Sequence, residues 1–143
     1  MSNIFHLAIP AGNLAANLSF YTDVLGCELG PSEKGKWQDI DFWGNELTLH
    51  ETEQRLGKGG ERERHEVDMG KVCVPHFGIH LEWHIFSSVK KSVKENVGFL
   101  DAPYIRFAGQ PTQQETFFVE DPNFNVIEIK SIQGSYYEQA KNK

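Results

Sequence analysis

The chain has 143 residues, of which 39% are hydrophobic and 24% charged, and its formal net charge is −6 at pH 7. This length and composition are typical of one globular domain that is large enough to bury a core. The acidic balance argues against a nucleic-acid surface, which needs clustered basic residues. No apolar run approaches the roughly 18 residues of a membrane span, and no signal peptide is visible. Two cysteines, Cys27 and Cys73, without CxxC spacing indicate free thiols, so we expect a cytoplasmic protein.

In the first part of the chain, a strand, a helix and two further strands are predicted. Apolar patterning and turn residues place the strands at 3–10, 37–42 and 46–51. Asn13 caps the helix that follows the first strand, and Gly26 ends it. Residues 30–35 are predicted to be a loop. We take residues 1–52 as module one.

Residues 53–71 differ from the rest of the chain because they are charged and glycine-rich, with little apolar periodicity. Such a composition predicts an exposed, mobile linker or lid. Its run of mixed charges, 61–66, is interpreted as solvated surface rather than as a binding site.

Residues 72–132 repeat the order of the first module, and we take them as module two. A strand at 72–83 precedes a helix at 86–100, whose lysines face water. The dipeptide Ala102–Pro103 is predicted to break the helix, and the remaining strands lie at 104–107, 115–120 and 126–132. A polar tail, 133–143, follows.

The repeated strands carry the residues on which a functional prediction can rest. His6 and His76 each lie early on an apolar strand that leads into a helix. One such histidine is more often a core residue than a ligand, but two equivalent ones suggest a site built between two half-domains. Glu128 is flanked by two isoleucines, and a glutamate there needs solvent, a cation or a hydrogen-bond partner. If His6, His50, His76 and Glu128 converge, their nitrogen and oxygen ligands suit Fe, Mn, Ni, Co or Zn.

Four segments together give the chain a resemblance to a known family. They are Phe5–Ile9, Phe20–Gly26, Pro75–Gly78 and Asp121–Glu128, and they extend across nearly all of residues 3–132. The chain resembles the vicinal oxygen chelate superfamily, which includes glyoxalase I, extradiol dioxygenases, fosfomycin-resistance enzymes and bleomycin-binding proteins. It departs from the family pattern at Phe124, where the DPxGN turn usually has glycine.

The resemblance implies an α+β fold of two βαβββ modules, whose sheets curl into an open barrel around one divalent metal ion. It also implies that His6, His76 and Glu128 are ligands, with a fourth ligand from the last strand of module one. Alignment of the turns selects Thr48, while Glu46 and His50 point the same way. We favour His50 because imidazole is the stronger ligand.

Further polar residues of module two are candidates for the pocket. Glu128 and Arg106 are the candidate catalytic residues. Arg106 is suited to an anionic or carbonyl group of the substrate, although a structural salt bridge with Glu82 or Asp121 is at least as strong an alternative. Candidate substrate-binding residues are Arg106, His80, Gln114 and Thr116.

Two functions from different classes fit this sequence. The first is a metal-dependent enzyme of the glyoxalase or dioxygenase type that chelates adjacent oxygens of a small substrate. The second is a metal-free small-molecule-binding protein of the bleomycin-resistance kind. The histidines and Glu128 favour the enzyme. We also expect a homodimer, because family members commonly pair and 12% of the residues are aromatic.

Overall fold

The computed structural model describes residues 3–53 and 63–132. The chain divides into two compact units. The described residues of the first unit are 3–53 and Asp121–Asn125, and those of the second are 63–120 and 126–132. The predicted tail, 133–143, and residues 54–62 of the predicted linker lie outside the described residues.

The first unit consists of a four-stranded mixed sheet and one short helix. Its elements are β1 (His6–Gly12), α1 (Leu14–Ser19), a π-helical turn (Phe20–Val24), β2 (Glu28–Glu33), β3 (Trp37–Phe42) and β4 (Asn45–Glu51). The strand order is β1-β4-β3-β2, and only the β1–β4 pair is parallel. Asn13 caps α1 as predicted, because its side-chain oxygen accepts a hydrogen bond from the amide of Ala16 at 3.2 Å.

The predicted loop at 30–35 is wrong, because most of it belongs to β2. This strand is exposed along its whole length and lies at the edge of the sheet, where proline is tolerated. The pairing with β3 is irregular between Leu29 and Ser32, on either side of Pro31. Glycine and proline there mark an irregular edge strand and not the end of the sheet.

The second unit repeats the arrangement of the first and adds a hairpin. Its elements are β5 (Arg64–Val67), β6 (Gly70–Cys73), β7 (Phe77–His80), α2 (Trp83–Asn96), β8 (Asp101–Arg106), β9 (Gln114–Glu120) and β10 (Val126–Ile132). Strands β5 and β6 form a separate antiparallel hairpin, while the main sheet has the order β7-β10-β9-β8 with β7–β10 parallel. Helix α2 packs against β10, and Phe86, Val89 and Val93 are its buried residues.

Several predicted bounds in this unit are wrong. The predicted linker contains β5 and the start of β6. The predicted strand 72–83 is interrupted, so that His76 precedes β7 instead of lying within it. Helix α2 begins three residues earlier than predicted and ends at Asn96. Pro103 lies inside β8, an edge strand whose pairing is irregular at that point.

Residues Asp121–Asn125 form a turn between β9 and β10. The Asp121 carboxylate accepts hydrogen bonds from the amides of Asn123 and Asn125 at 2.8 and 2.9 Å, and from the Tyr21 hydroxyl at 2.6 Å. The Asn123 and Asn125 side chains both donate to the carbonyl of Pro10. Phe124 has φ +64°, which explains why glycine is usual there. The turn therefore belongs to the first unit, although the strands on either side of it belong to the second.

Each unit contains the order β-α-β-β-β in its main sheet, which confirms the predicted α+β class with two βαβββ modules. Leu47 and Leu49 of β4 are buried, as are Ile127 and Ile129 of β10. Polar residues alternate with these apolar residues, so that each central strand presents Thr48 or Glu128 on the opposite face. In the described residues, neither helix has the length and hydropathy of a membrane span.

Candidate functional site

His76 and Glu128 lie side by side in the second unit. Glu128 is at the centre of β10, and His76 is the last residue before β7, the parallel neighbour of β10. The distance from His76 Nε2 to Glu128 Oε1 is 3.5 Å. Gly78 allows this close approach, because a β carbon at its position would overlap the carbonyl oxygen of Glu128.

The other ring nitrogen of His76 determines which tautomer the neutral side chain adopts. His76 Nδ1 lies 2.6 Å from the carbonyl oxygen of Cys73. A carbonyl oxygen can only accept a hydrogen bond, so Nδ1 must carry the proton. In the neutral imidazole, the lone pair of Nε2 therefore faces the Glu128 carboxylate. Such backbone anchoring of the second nitrogen is typical of metal-ligating histidines.

Glu128 is buried, yet its surroundings keep it ionised. Burial alone would raise the pKa of Glu128, but the interactions with His76 and Thr116 and the charge of Lys130 outweigh burial and lower the pKa to about 2. The Thr116 hydroxyl donates to Oε2 at 2.8 Å, and Lys130 Nζ lies 3.6 Å from Oε1. The carboxylate in turn raises the pKa of His76, an effect that burial opposes.

The His76–Glu128 pair fits the requirements of a divalent metal ion. Nε2 of His76 and a carboxylate oxygen of Glu128 face each other at 3.5 Å, an arrangement that a shared proton or a bound cation would stabilise. Two ligands of a tetrahedral ion, with bonds near 2.0–2.1 Å, are separated by about 3.4 Å. A strong charge-assisted hydrogen bond would be shorter, at about 2.7–2.9 Å. In its described residues, neither unit gathers three or more His, Cys, Asp or Glu side chains that could hold a metal ion.

The predicted substrate-binding residues lie on the strands around this pair. Thr116 contacts Glu128 directly, and Gln114 is buried two residues before it on β9. His80 is the cross-strand partner of Lys130. Burial and then the charge of Lys130 lower the pKa of His80, which favours its neutral form.

Arg106 forms a salt bridge, but its partner is neither of the two that we predicted. Its guanidinium binds both carboxylate oxygens of Asp68, which lies between β5 and β6. Arg106 is the cross-strand partner of Gln114 and interacts electrostatically with Glu128 and Tyr104. It therefore borders the His76–Glu128 pair.

In the first unit, the predicted ligand His6 contacts Glu46. Nδ1 of His6 lies 2.8 Å from Oε1 of Glu46, its partner in the β1–β4 register. Thr48 is buried and donates to Asp39 at 2.6 Å. Thr48 lies opposite Ala8, two residues beyond His6, as Glu128 lies opposite Gly78, two residues beyond His76.

His50 lies at the other end of β4 from Glu46, opposite Pro10 of β1. Four residues of strand separate its backbone from that of Glu46 by about 13 Å. The first unit thus brings His6 together with Glu46 and not with His50. The role of His50 as a metal ligand stays a prediction.

Three residues near Glu128 were missing from the predicted site. Lys130 could have been found from the sequence, because it shares a strand face with Glu128. Tyr104 pairs with Thr116, and burial and then Glu128 raise its pKa. Asp68 lies in the predicted linker, and no pattern in the sequence indicates that it binds Arg106.

Comparison with known proteins identifies the family. Residues 3–129 match the model of the Glyoxalase/Bleomycin resistance protein/Dioxygenase superfamily, so the chain belongs to this superfamily. Its members typically use a divalent metal, and many are enzymes. A search among proteins of curated function found no match.

Solved structures agree with this assignment. A glyoxalase/bleomycin resistance protein/dioxygenase from Alicyclobacillus acidocaldarius is 31% identical over 92% of each chain, with a TM-score of 0.71. A glyoxalase/dioxygenase from Nostoc punctiforme has a TM-score of 0.69 at 16% identity over 92% of each chain. The fosfomycin resistance protein FosX from Listeria monocytogenes has a TM-score of 0.65 at 12% identity, covering 96% of this chain and 98% of its own. The last two likenesses support the fold alone.

Proposed function

We propose that this protein is a divalent-metal-dependent enzyme of the glyoxalase or dioxygenase type, with His76 and Glu128 among the metal ligands. The observation that carries the proposal is the approach of His76 Nε2 and the buried Glu128 carboxylate to 3.5 Å. Fe, Zn, Ni, Mn and Co all suit one nitrogen and one oxygen ligand of this kind. His6 stays a predicted further ligand, and the fourth is either His50, as predicted, or Glu46, which lies 2.8 Å from His6.

Each residue around the pair has a separate task in this proposal. Thr116 holds one oxygen of Glu128 and thereby directs the other toward His76. The carbonyl of Cys73 fixes the tautomer of His76. A metal bound to the pair would polarise two adjacent oxygens of a small substrate and stabilise negative charge on them.

Metal analysis of protein prepared without a histidine tag tests the proposal. We expect about one divalent ion per chain in the wild type. Glu128→Gln should lower metal affinity at least 100-fold, and Thr116→Val about 10-fold to 100-fold, as is usual for the partner of a ligand. Glu66→Gln, an exposed change on β5, serves as the control and should bind like the wild type. Wild-type affinity in folded Glu128→Gln would refute the proposal.

The metal that copurifies also decides between two chemistries. Fe(II) would favour ring-cleaving dioxygenase activity, whereas Zn, Ni or Co would favour isomerase or lyase activity. Assays of the protein loaded with each metal would then be directed to one substrate class.

A metal-free binding protein is the second candidate, and one observation favours it. Lys130 Nζ lies 3.6 Å from the same Glu128 oxygen that faces His76, so a cation of the chain itself can compensate the carboxylate. If this candidate is right, the tag-free wild type should contain no stoichiometric metal, and Glu128→Gln should not change its metal content.

A further inference from the structure

The Asp68 carboxylate binds the guanidinium of Arg106 in the way that the carboxylate of a ligand would. Its Oδ1 lies 2.6 Å from Arg106 Nη2, and its Oδ2 lies 3.1 Å from Nε. Two parallel N–H···O bonds are the arrangement by which arginine recognises planar carboxylates. The side chains are partly exposed, at 21% for Arg106 and 35% for Asp68, so a solute can reach the contact.

The hairpin that carries Asp68 is anchored at its base. Arg64 at that end forms a salt bridge with Asp101 at 3.1 Å, and Val72 and Cys73 are buried in a core cluster. Residues 65–71 around the tip are all exposed. A two-stranded hairpin with so little buried surface opens at low free-energy cost. The tip can therefore leave Arg106 while the base stays in place.

Removal of Asp68 would leave an excess of positive charge on this part of the sheet. Arg106 and Lys130 would then face one carboxylate, Glu128, which both of them influence electrostatically. Tyr104, on the same strand as Arg106 and two residues before it, adds a hydroxyl. Such a group of donors suits an anion.

We propose that Arg106 binds a carboxylate group of the substrate, and that Asp68 is an internal competitor which the substrate must displace. The substrate class is thus small carboxylic acids in their anionic form. The inference rests on the proposed function, because it assigns a substrate group to the surroundings of the same His76–Glu128 pair.

The internal competitor has a consequence for selectivity. A group tethered by a short segment competes at an effective concentration on the order of millimolar. Simple carboxylates at lower concentration therefore leave the Asp68–Arg106 pair closed. A substrate that also binds elsewhere in the site has the extra free energy that displacement requires. Asp68 thereby selects against anions with only one point of attachment.

The test compares benzoate with benzamide, its uncharged analogue, in titrations of metal-free protein in EDTA. Asp68→Asn should raise the affinity for benzoate at least 10-fold over the wild type and leave benzamide unchanged. The double variant Asp68→Asn/Arg106→Gln should bind benzoate no more tightly than the wild type. Glu66→Gln, which removes a charge from the same hairpin without touching Arg106, should bind benzoate like the wild type.

Equal affinity of the wild type and Asp68→Asn for benzoate, or no measurable binding by either, overturns the inference. In that case a fall in the stability of Asp68→Asn would identify the pair as a structural salt bridge only. Because the titration is done without metal, its failure leaves the proposed metal site standing. Conversely, tighter benzoate binding by Asp68→Asn would still support the carboxylate site at Arg106 if the protein bound no metal.

Discussion

Glu128 combines burial with a charge that its neighbours stabilise. Glu128 is 7% exposed, and its pKa of about 2 lies below the ordinary value of 4.5. A carboxyl whose pKa is lowered by folding adds stability above the unfolded-state pKa, and this stability is lost as the pH falls toward the folded-state pKa. The stability that the Glu128 charge contributes is therefore lost between about pH 4.5 and about pH 2.

Glutamine at position 128 cannot ionise and should remove this dependence. With EDTA present, we expect the urea midpoint of the wild type to fall between pH 4.5 and pH 3, and that of Glu128→Gln to fall less steeply. The control Glu66→Gln should retain the wild-type slope. Parallel curves for the wild type and Glu128→Gln would mean that the folded protein does not stabilise the Glu128 charge.

At the scale of elements, the parallel pairing of β7 with β10 sets the distance between His76 and Glu128. Gly78 lies opposite Glu128, and a β carbon there would overlap backbone atoms that cannot rotate away. Gly78→Ala should therefore destabilise the protein by about 3 kcal/mol in urea unfolding, at the upper end for an overpacked site. It should also weaken metal binding, because the backbone of Glu128 must move.

Gly30→Ala on the edge strand β2 is the matched control for this prediction. Its β carbon would lie 3.3 Å from the β carbon of Asp39, a tight contact that an edge strand can relieve. We expect Gly30→Ala to lower the free energy of unfolding by less than about 1 kcal/mol. If both variants lost the same free energy of unfolding, the close contact of Gly78 with the backbone of Glu128 would not limit stability.

Elements with strong apolar alternation could be predicted from the sequence, and irregular edge strands could not. The predicted bounds of β3 and β10 are confirmed. Burial alternates along β3, and the isoleucines of β10 alternate with Glu128 and Lys130 in the sequence. Strand β2 was missed because Gly30 and Pro31 indicate a turn unless an edge position is known. The hairpin β5–β6 was missed because most of its residues are exposed, so that its sequence shows no apolar alternation.

The same distinction holds for the candidate site. His76 and Glu128 could be predicted as one site because, when the two halves of the chain are aligned, His76 matches His6 and Glu128 matches Thr48. The contact of His6 with Glu46 depends on the register of β1 against β4, which a single sequence does not determine. Asp68 reaches Arg106 only through the path of a hairpin, for which residue patterns give no signal.

At the scale of the whole molecule, we predict a homodimer. The edge strands of the first sheet are β1 and β2, and large apolar side chains are exposed on or beside them: Phe5 is 66% exposed and Leu29 is 52% exposed. Exposed apolar edges favour association. Light scattering at micromolar concentration should give about twice the chain mass of 16.3 kDa. A single monomeric species would count against a dimer.

The most direct test of the central claim is the position of a bound ion. Crystals grown with Zn²⁺ and measured at the zinc absorption edge would locate the metal by anomalous scattering. We predict one peak within about 2.3 Å of both His76 Nε2 and Glu128 Oε1, in keeping with zinc–nitrogen and zinc–oxygen bond lengths. The absence of a peak there, with Lys130 remaining beside Glu128, would contradict the claim.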